Sequence, residues 1–165
     1  MKKFLKIIIF PLLLVFLAGC PYESSVPLSD ANEKYPAALL GDWVKSADQE
    51  SETPDYFVVE DVDGYNFNIY EYTYSYDDEE YSYTQYSGHQ TTIGDTKFLN
   101  IYDGSTDGYY FYKLEWTSKE EFSLHPVTEY IKETFVTSGD LYSYFEKYKD
   151  LSFFYEEAES YVTYE

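Results

Sequence analysis

From Tyr56 onward the chain alternates apolar and polar positions in steps of two, interrupted by short clusters of Asp, Asn and Gly. That period places successive side chains on opposite faces of a half-buried strand. Asp55 to Asp61, with Tyr56, Phe57, Val58 and Val59 between, predicts a strand, and Asp63-Gly64 predicts a hairpin turn. In the return strand Tyr65, Phe67 and Ile69 share one face, while Asn66, Asn68, Tyr70, Tyr72 and Tyr74 share the other. Asp77 to Glu80 predicts a solvated reversal, followed by a strand over Tyr81 to Tyr86 whose pairing extends to Ile93. Gly94-Asp95 predicts a turn, Phe98 to Tyr102 a short strand, and Asp103 to Gly108 a polar loop. Beyond it, Tyr110, Tyr112, Leu114 and Trp116 alternate with Tyr109, Phe111, Lys113 and Glu115. Glu121 to Val127 predicts another strand, with Phe122 and Leu124 on one face. Short strands joined by hairpin turns indicate an antiparallel meander.

One stretch changes period. From Ser138 to Asp150, Leu141, Tyr144, Phe145 and Tyr148 fall in steps of three and four, which predicts one helix face. Thr137 or Ser138 is placed to cap it, with Asp140 in the first turn and Lys147 and Lys149 near the end. The tail, Phe153 to Tyr155 and then Tyr161 to Tyr164, is expected to return as a last strand.

The N-terminal third has no such pattern. Lys2, Lys3 and Lys6 precede an uncharged run from Ile7 to Gly19, the segment order of a secretory signal. The run is shorter than the roughly 20 apolar residues of a spanning helix. Residues 20–35, with two prolines and scattered Ser, Asp and Asn, predict a polar tether that lifts the domain off a surface. The domain is expected to fill residues 36–165, opening at Leu39 to Val44.

Composition sharpens this picture. The chain carries a net charge of −20, and without the three lysines of residues 1–19 it is −23. All eleven basic residues are lysines. Such a chain repels nucleic acid, whose binding needs Lys and Arg against phosphates. High acidity suggests disorder, but 22 Tyr, 12 Phe and 2 Trp argue for a folded, β-rich domain.

Leu17-Ala18-Gly19-Cys20 resembles the bacterial lipobox. The resemblance implies that Cys20 receives a diacylglycerol, that residues 1–19 are removed, and that the acylated cysteine becomes the N-terminus. Attachment to the membrane would then come from the N-terminal acyl chains, including a fatty acid such as palmitate. Anchoring is stable with two or more chains and marginal with one. An extracytoplasmic, envelope location follows. Gly41-Asp42-Trp43, at the first strand of a meander with a late helix, resembles the Gly-x-Trp opening of lipocalin-like barrels. By that resemblance Trp43 plugs one end of the barrel. The fold expected is therefore mainly β: an antiparallel meander forming a lipocalin-like barrel of about eight strands, with one C-terminal α-helix.

Candidate chemistry is sparse. His89 and His125 have no second histidine at ligand spacing and no serine in a nucleophile setting, so each reads as a polar strand or loop residue. Asp103 to Gly108 matches the first positions of a calcium loop, yet Leu114 stands where its final glutamate belongs. A hairpin loop is the better account, and neither a catalytic residue nor a metal or cofactor is assigned. The row Tyr70, Tyr72 and Tyr74, continued by Tyr81, Tyr83 and Tyr86, is a candidate face for an envelope protein or glycan. The bulky faces of Tyr65, Phe67 and Ile69, of Tyr110, Tyr112, Leu114 and Trp116, and of Phe122 and Leu124 are expected to point inward, nearly fill the barrel and leave no deep pocket. The function expected is a non-catalytic binding or envelope-structural lipoprotein. The alternatives are an acidic inhibitor of a basic envelope enzyme and a glycan hydrolase with paired carboxylates.

Overall fold

The structure, a computed structural model, describes residues 21–164. The lipobox residues Leu17, Ala18, Gly19 and Cys20 lie outside the described residues. Among the described residues nine strands form: β1 (Glu23–Ser24), β2 (Gly41–Lys45), β3 (Tyr56–Asp61), β4 (Asn66–Ser75), β5 (Glu80–Ile93), β6 (Thr96–Asp103), β7 (Gly108–Trp116), β8 (Glu121–Pro126) and β9 (Glu159–Thr163). Helix α1 (Ser138–Tyr148) stands between β8 and β9. Every pairing is antiparallel. Strands β2 to β8 follow one another, β9 pairs with both β8 and β2, and the sheet closes as an eight-stranded barrel. Closure pairs the first and last strands of the wall, leaving unpaired edge only where a strand runs beyond its neighbour.

The turns form where the sequence predicts them. Gly64 has φ +81°, which a side chain disfavours, and Asp63 Oδ1 accepts from the Tyr65 and Asn66 N–H groups at 3.0 and 2.7 Å. The Thr137 hydroxyl accepts from the Asp140 N–H at 3.2 Å and caps α1.

Alternation along the strands produces two cores. Inside the barrel, Trp43, Phe67, Leu99, Leu114, Phe122 and Tyr161 pack together. Gly88 lies opposite Phe67 in register, and a Cβ there would meet the ring at 2.6 Å. Outside the wall, Ile93, Phe98 and Phe111 receive Leu141 and Phe145 of α1 and Phe154 of the tail. Phe145 meets both Phe98 and Phe111 edge-on, at 5.3 and 5.1 Å between ring centres.

Residues 21–35 are a strap laid on the barrel, not a free tether. Tyr22 and Leu28 are buried in the outer core. Strand β1 pairs with β7 at Tyr109 and Tyr110, just beyond the Tyr112–Trp116 stretch that β8 occupies. The Leu28 N–H donates to Asn100 Oδ1 at 2.8 Å, and the Thr92 N–H donates to Glu33 Oε2 at 2.7 Å. Tyr35 then enters the inner core edge-on to Phe67, at 5.1 Å. Tyr22, Leu28 and Tyr35, with Val26 partly buried, hold the strap; they follow no single helix or strand period because it crosses several strands in turn.

Candidate functional site in the barrel interior

The inner core does not fill the barrel. A cavity of about 410 Å³ remains, walled by Phe57 and Val59 of β3, Phe67 and Ile69 of β4, and Leu99 and Ile101 of β6. The sequence-based expectation of a filled interior is thus corrected. Phe67 and Ile69 do point inward as predicted, as do Tyr110, Tyr112, Phe122 and Leu124, but they line a space, whereas Tyr65 stays exposed just ahead of β4. Trp43 is part of the inner core but does not line the cavity; it packs edge-on to Phe122 at 4.5 Å, its indole N–H donating to the Leu39 carbonyl at 2.9 Å. Gly41, with φ +122°, opens the strand that positions it.

Polar groups gather on part of this wall. Lys45 at the end of β2 pairs with Glu159 at the start of β9, Nζ to Oε1 2.7 Å. The Tyr161 hydroxyl donates to Glu159 Oε2 at 2.7 Å, and the Tyr86 hydroxyl to Glu71 Oε2 at 3.2 Å. Burial works to raise the Glu159 carboxyl, but the hydrogen bonds from Lys45 and Tyr161 outweigh it and hold the group below its usual range. Burial, then the Glu71 charge and hydrogen bond, pushes the Tyr86 phenol up to about 12. Burial also raises Tyr112 and Tyr161, with the Glu71 and Glu159 carboxylates acting in the same direction. At neutral pH this wall offers phenol donors beside carboxylate acceptors, with one lysine already paired. Chemically it suits a ligand with an apolar body and a polar, preferentially cationic, head.

The tyrosine row is split by its strand register. Tyr72 lies opposite Tyr83 and Tyr74 opposite Tyr81, on the outer face with Tyr70. Tyr56 stacks on Tyr72 at 4.8 Å and meets Tyr81 and Tyr164 at 5.4 and 5.1 Å. Tyr86 is opposite Ile69 and therefore points inward, where it lines the cavity. Its assignment to the outer face is corrected: the step from Tyr83 to Tyr86 is odd, and an odd step changes face.

The histidines stand apart from the cavity and from each other. His89 Nε2 lies 2.8 Å from the Ser29 carbonyl, and burial lowers its pKa. His125 Nε2 contacts Glu115 Oε2 at 2.9 Å on the outer surface. Asp103 to Gly108 is the β6–β7 hairpin loop, in which Asp103 Oδ1 accepts from the Ser105 N–H at 2.8 Å. Sequence reasoning missed Lys45, Glu71 and Glu159. A signal for Glu71 was present, because it continues the inward series Phe67, Ile69 with a charge.

Compared with family models, curated proteins and solved structures, the chain matches none.

Proposed function

We propose that this chain is a lipid-anchored, extracytoplasmic lipoprotein that acts as a non-catalytic binding module, with the barrel interior as its binding site. The cavity of about 410 Å³ carries the reading, since small-ligand sites begin near 300 Å³ and are apolar with a few placed polar groups. The ligand is a small amphiphile, its apolar body against Val59, Phe67 and Ile101 and its head among Glu71, Glu159 and Tyr86. The anchor supports the same reading. Pro21, the residue that follows Cys20 in the chain, lines the cavity. With the strap docked, little spacer separates the barrel from the bilayer, and an amphiphile has a short path between the two.

Glu159 suits a binding contact better than the role of proton donor in glycoside cleavage. A glycoside-cleaving acid needs its carboxyl raised, and Glu159 is held the other way.

Two measurements test the proposal. N-phenyl-1-naphthylamine titrated into the full-length chain should be taken up saturably, one probe per chain, and Ile69→Trp should abolish uptake while the chain stays folded. Uptake that never saturates sinks the cavity reading. Cys20→Ala should remove fatty-acid labelling and membrane retention; unchanged labelling sinks the anchor.

A further inference from the structure

Strands β4 and β5 pair much further than their neighbours do. Their ladder runs from Asn66 opposite His89 to Ser75 opposite Glu80. Strand β3 follows β4 only to Tyr72, and β6 reaches β5 only at Ser87. Thr73 to Ser82 therefore projects from the barrel as a two-stranded ribbon, with Tyr83 to Tyr86 at its base beside β4 alone, and the Tyr72–Tyr83 and Tyr74–Tyr81 aromatic pairs at 5.6 and 5.1 Å hold it.

The two edges of this ribbon differ. On the β4 side Asp55 Oδ1 accepts the Tyr74 N–H at 3.0 Å, and the Tyr81 hydroxyl donates to the Pro54 carbonyl at 3.0 Å. On the β5 side, Glu80 to Tyr86 has no strand beside it among the described residues. Because the Tyr74 N–H points away from β5, Tyr74 and Tyr81 form a non-hydrogen-bonded pair. The N–H and C=O groups of Tyr81, and by alternation those of Tyr83 and Gln85, then face the open edge. All three residues are exposed.

Charge says what fits. Between Lys45 and Lys97 the chain holds thirteen acids and no lysine or arginine, and Asp77, Asp78, Glu79 and Glu80 form the ribbon's tip. A second copy would bring its own acidic tip and net charge of −20 to the same edge, and is repelled. An extended segment rich in lysine or arginine gains on both counts, beside the tip carboxylates and over the Tyr81 and Tyr83 rings. We propose that the open edge of β5, Glu80 to Tyr86, is a strand-addition site for an extended basic segment of a partner protein. The main chain supplies the pairing, and the acids and tyrosines select the charge.

The probe is an end-blocked heptapeptide of alternating lysine and threonine, with glutamate replacing lysine as its control, added to the full-length chain in neutral detergent. The lysine peptide should bind saturably and the glutamate peptide should not. Binding should slow amide hydrogen exchange at Tyr81, Tyr83 and Gln85. Gln85→Pro removes one outward N–H and spares the β4 ladder, so it should weaken binding roughly fivefold relative to Gln85→Ala. Binding without slowed exchange at these amides overturns strand addition, since contact with the tyrosine face alone would leave them free. Equal affinity for both peptides overturns the charge argument. A concentration-dependent dimer protecting the same amides makes a second copy the occupant, and also overturns it.

Discussion

Gly88→Ala tests the inner core and the cavity together. An added Cβ would lie 2.6 Å from Phe67 Cε2 and 2.9 Å from Ile101 Cδ1. The Phe67 ring must retreat by about 1 Å to reach ordinary carbon contact. In a filled core such overpacking costs about 1–3 kcal/mol. Here Phe67 and Ile101 both line the cavity, so there is open space for them to move into. The cost should fall at the low end, about 1–2 kcal/mol, which lowers Tm by roughly 2–8 °C for a domain of this size. The space comes out of the ligand site, so affinity for N-phenyl-1-naphthylamine should drop in the same variant. Thermal unfolding by circular dichroism and a probe titration read the two effects separately. Phe67→Leu, which shortens the crowding side chain, should make the double variant more stable than the two single changes predict. An unchanged Tm with unchanged uptake would refute the cradle of Gly88 under Phe67. A loss well above about 3 kcal/mol would refute the relief that the cavity provides.

Leu28→Ala separates a strap from a tether: burial in the outer core predicts a loss of about 2–5 kcal/mol in denaturant unfolding, where a free tether predicts none. At high pH the tyrosines of the inner wall should limit stability. Their folded pKa values are raised above 10.0, to about 12 for Tyr86, so their contribution is full below pH 10 and lost as pH rises through the folded values. Tm should therefore fall between pH 10 and 12, and a flat profile there removes the argument. Glu159 has the opposite sign: its folded pKa is depressed, so its contribution is present above its ordinary 4.5 and disappears as pH falls below it. Glu159→Gln should make the acid limb of Tm shallower, and an unchanged limb would mean that the Lys45 and Tyr161 contacts do not hold in solution.

Local chemistry determined much of this protein. Asp63-Gly64 makes its turn whatever surrounds it, Thr137 caps its helix, and the period-two rows of Phe67, Ile69 and Tyr112, Leu114 settle which side chains share a face. Strand count and closure follow from many such short-range rules agreeing. Three features were decided only by the tertiary structure. The strap escaped notice because Tyr22, Leu28 and Tyr35 follow the wall they cross and not a helix or strand of their own. Tyr86 changed faces because the register of β5 against β4, not its place in a tyrosine-rich run, sets the direction of a side chain. The cavity, with Lys45, Glu71 and Glu159 brought to one wall from strands far apart in the sequence, depends on how widely eight tilted strands splay. Side-chain volumes read in order along a chain carry no measure of that distance.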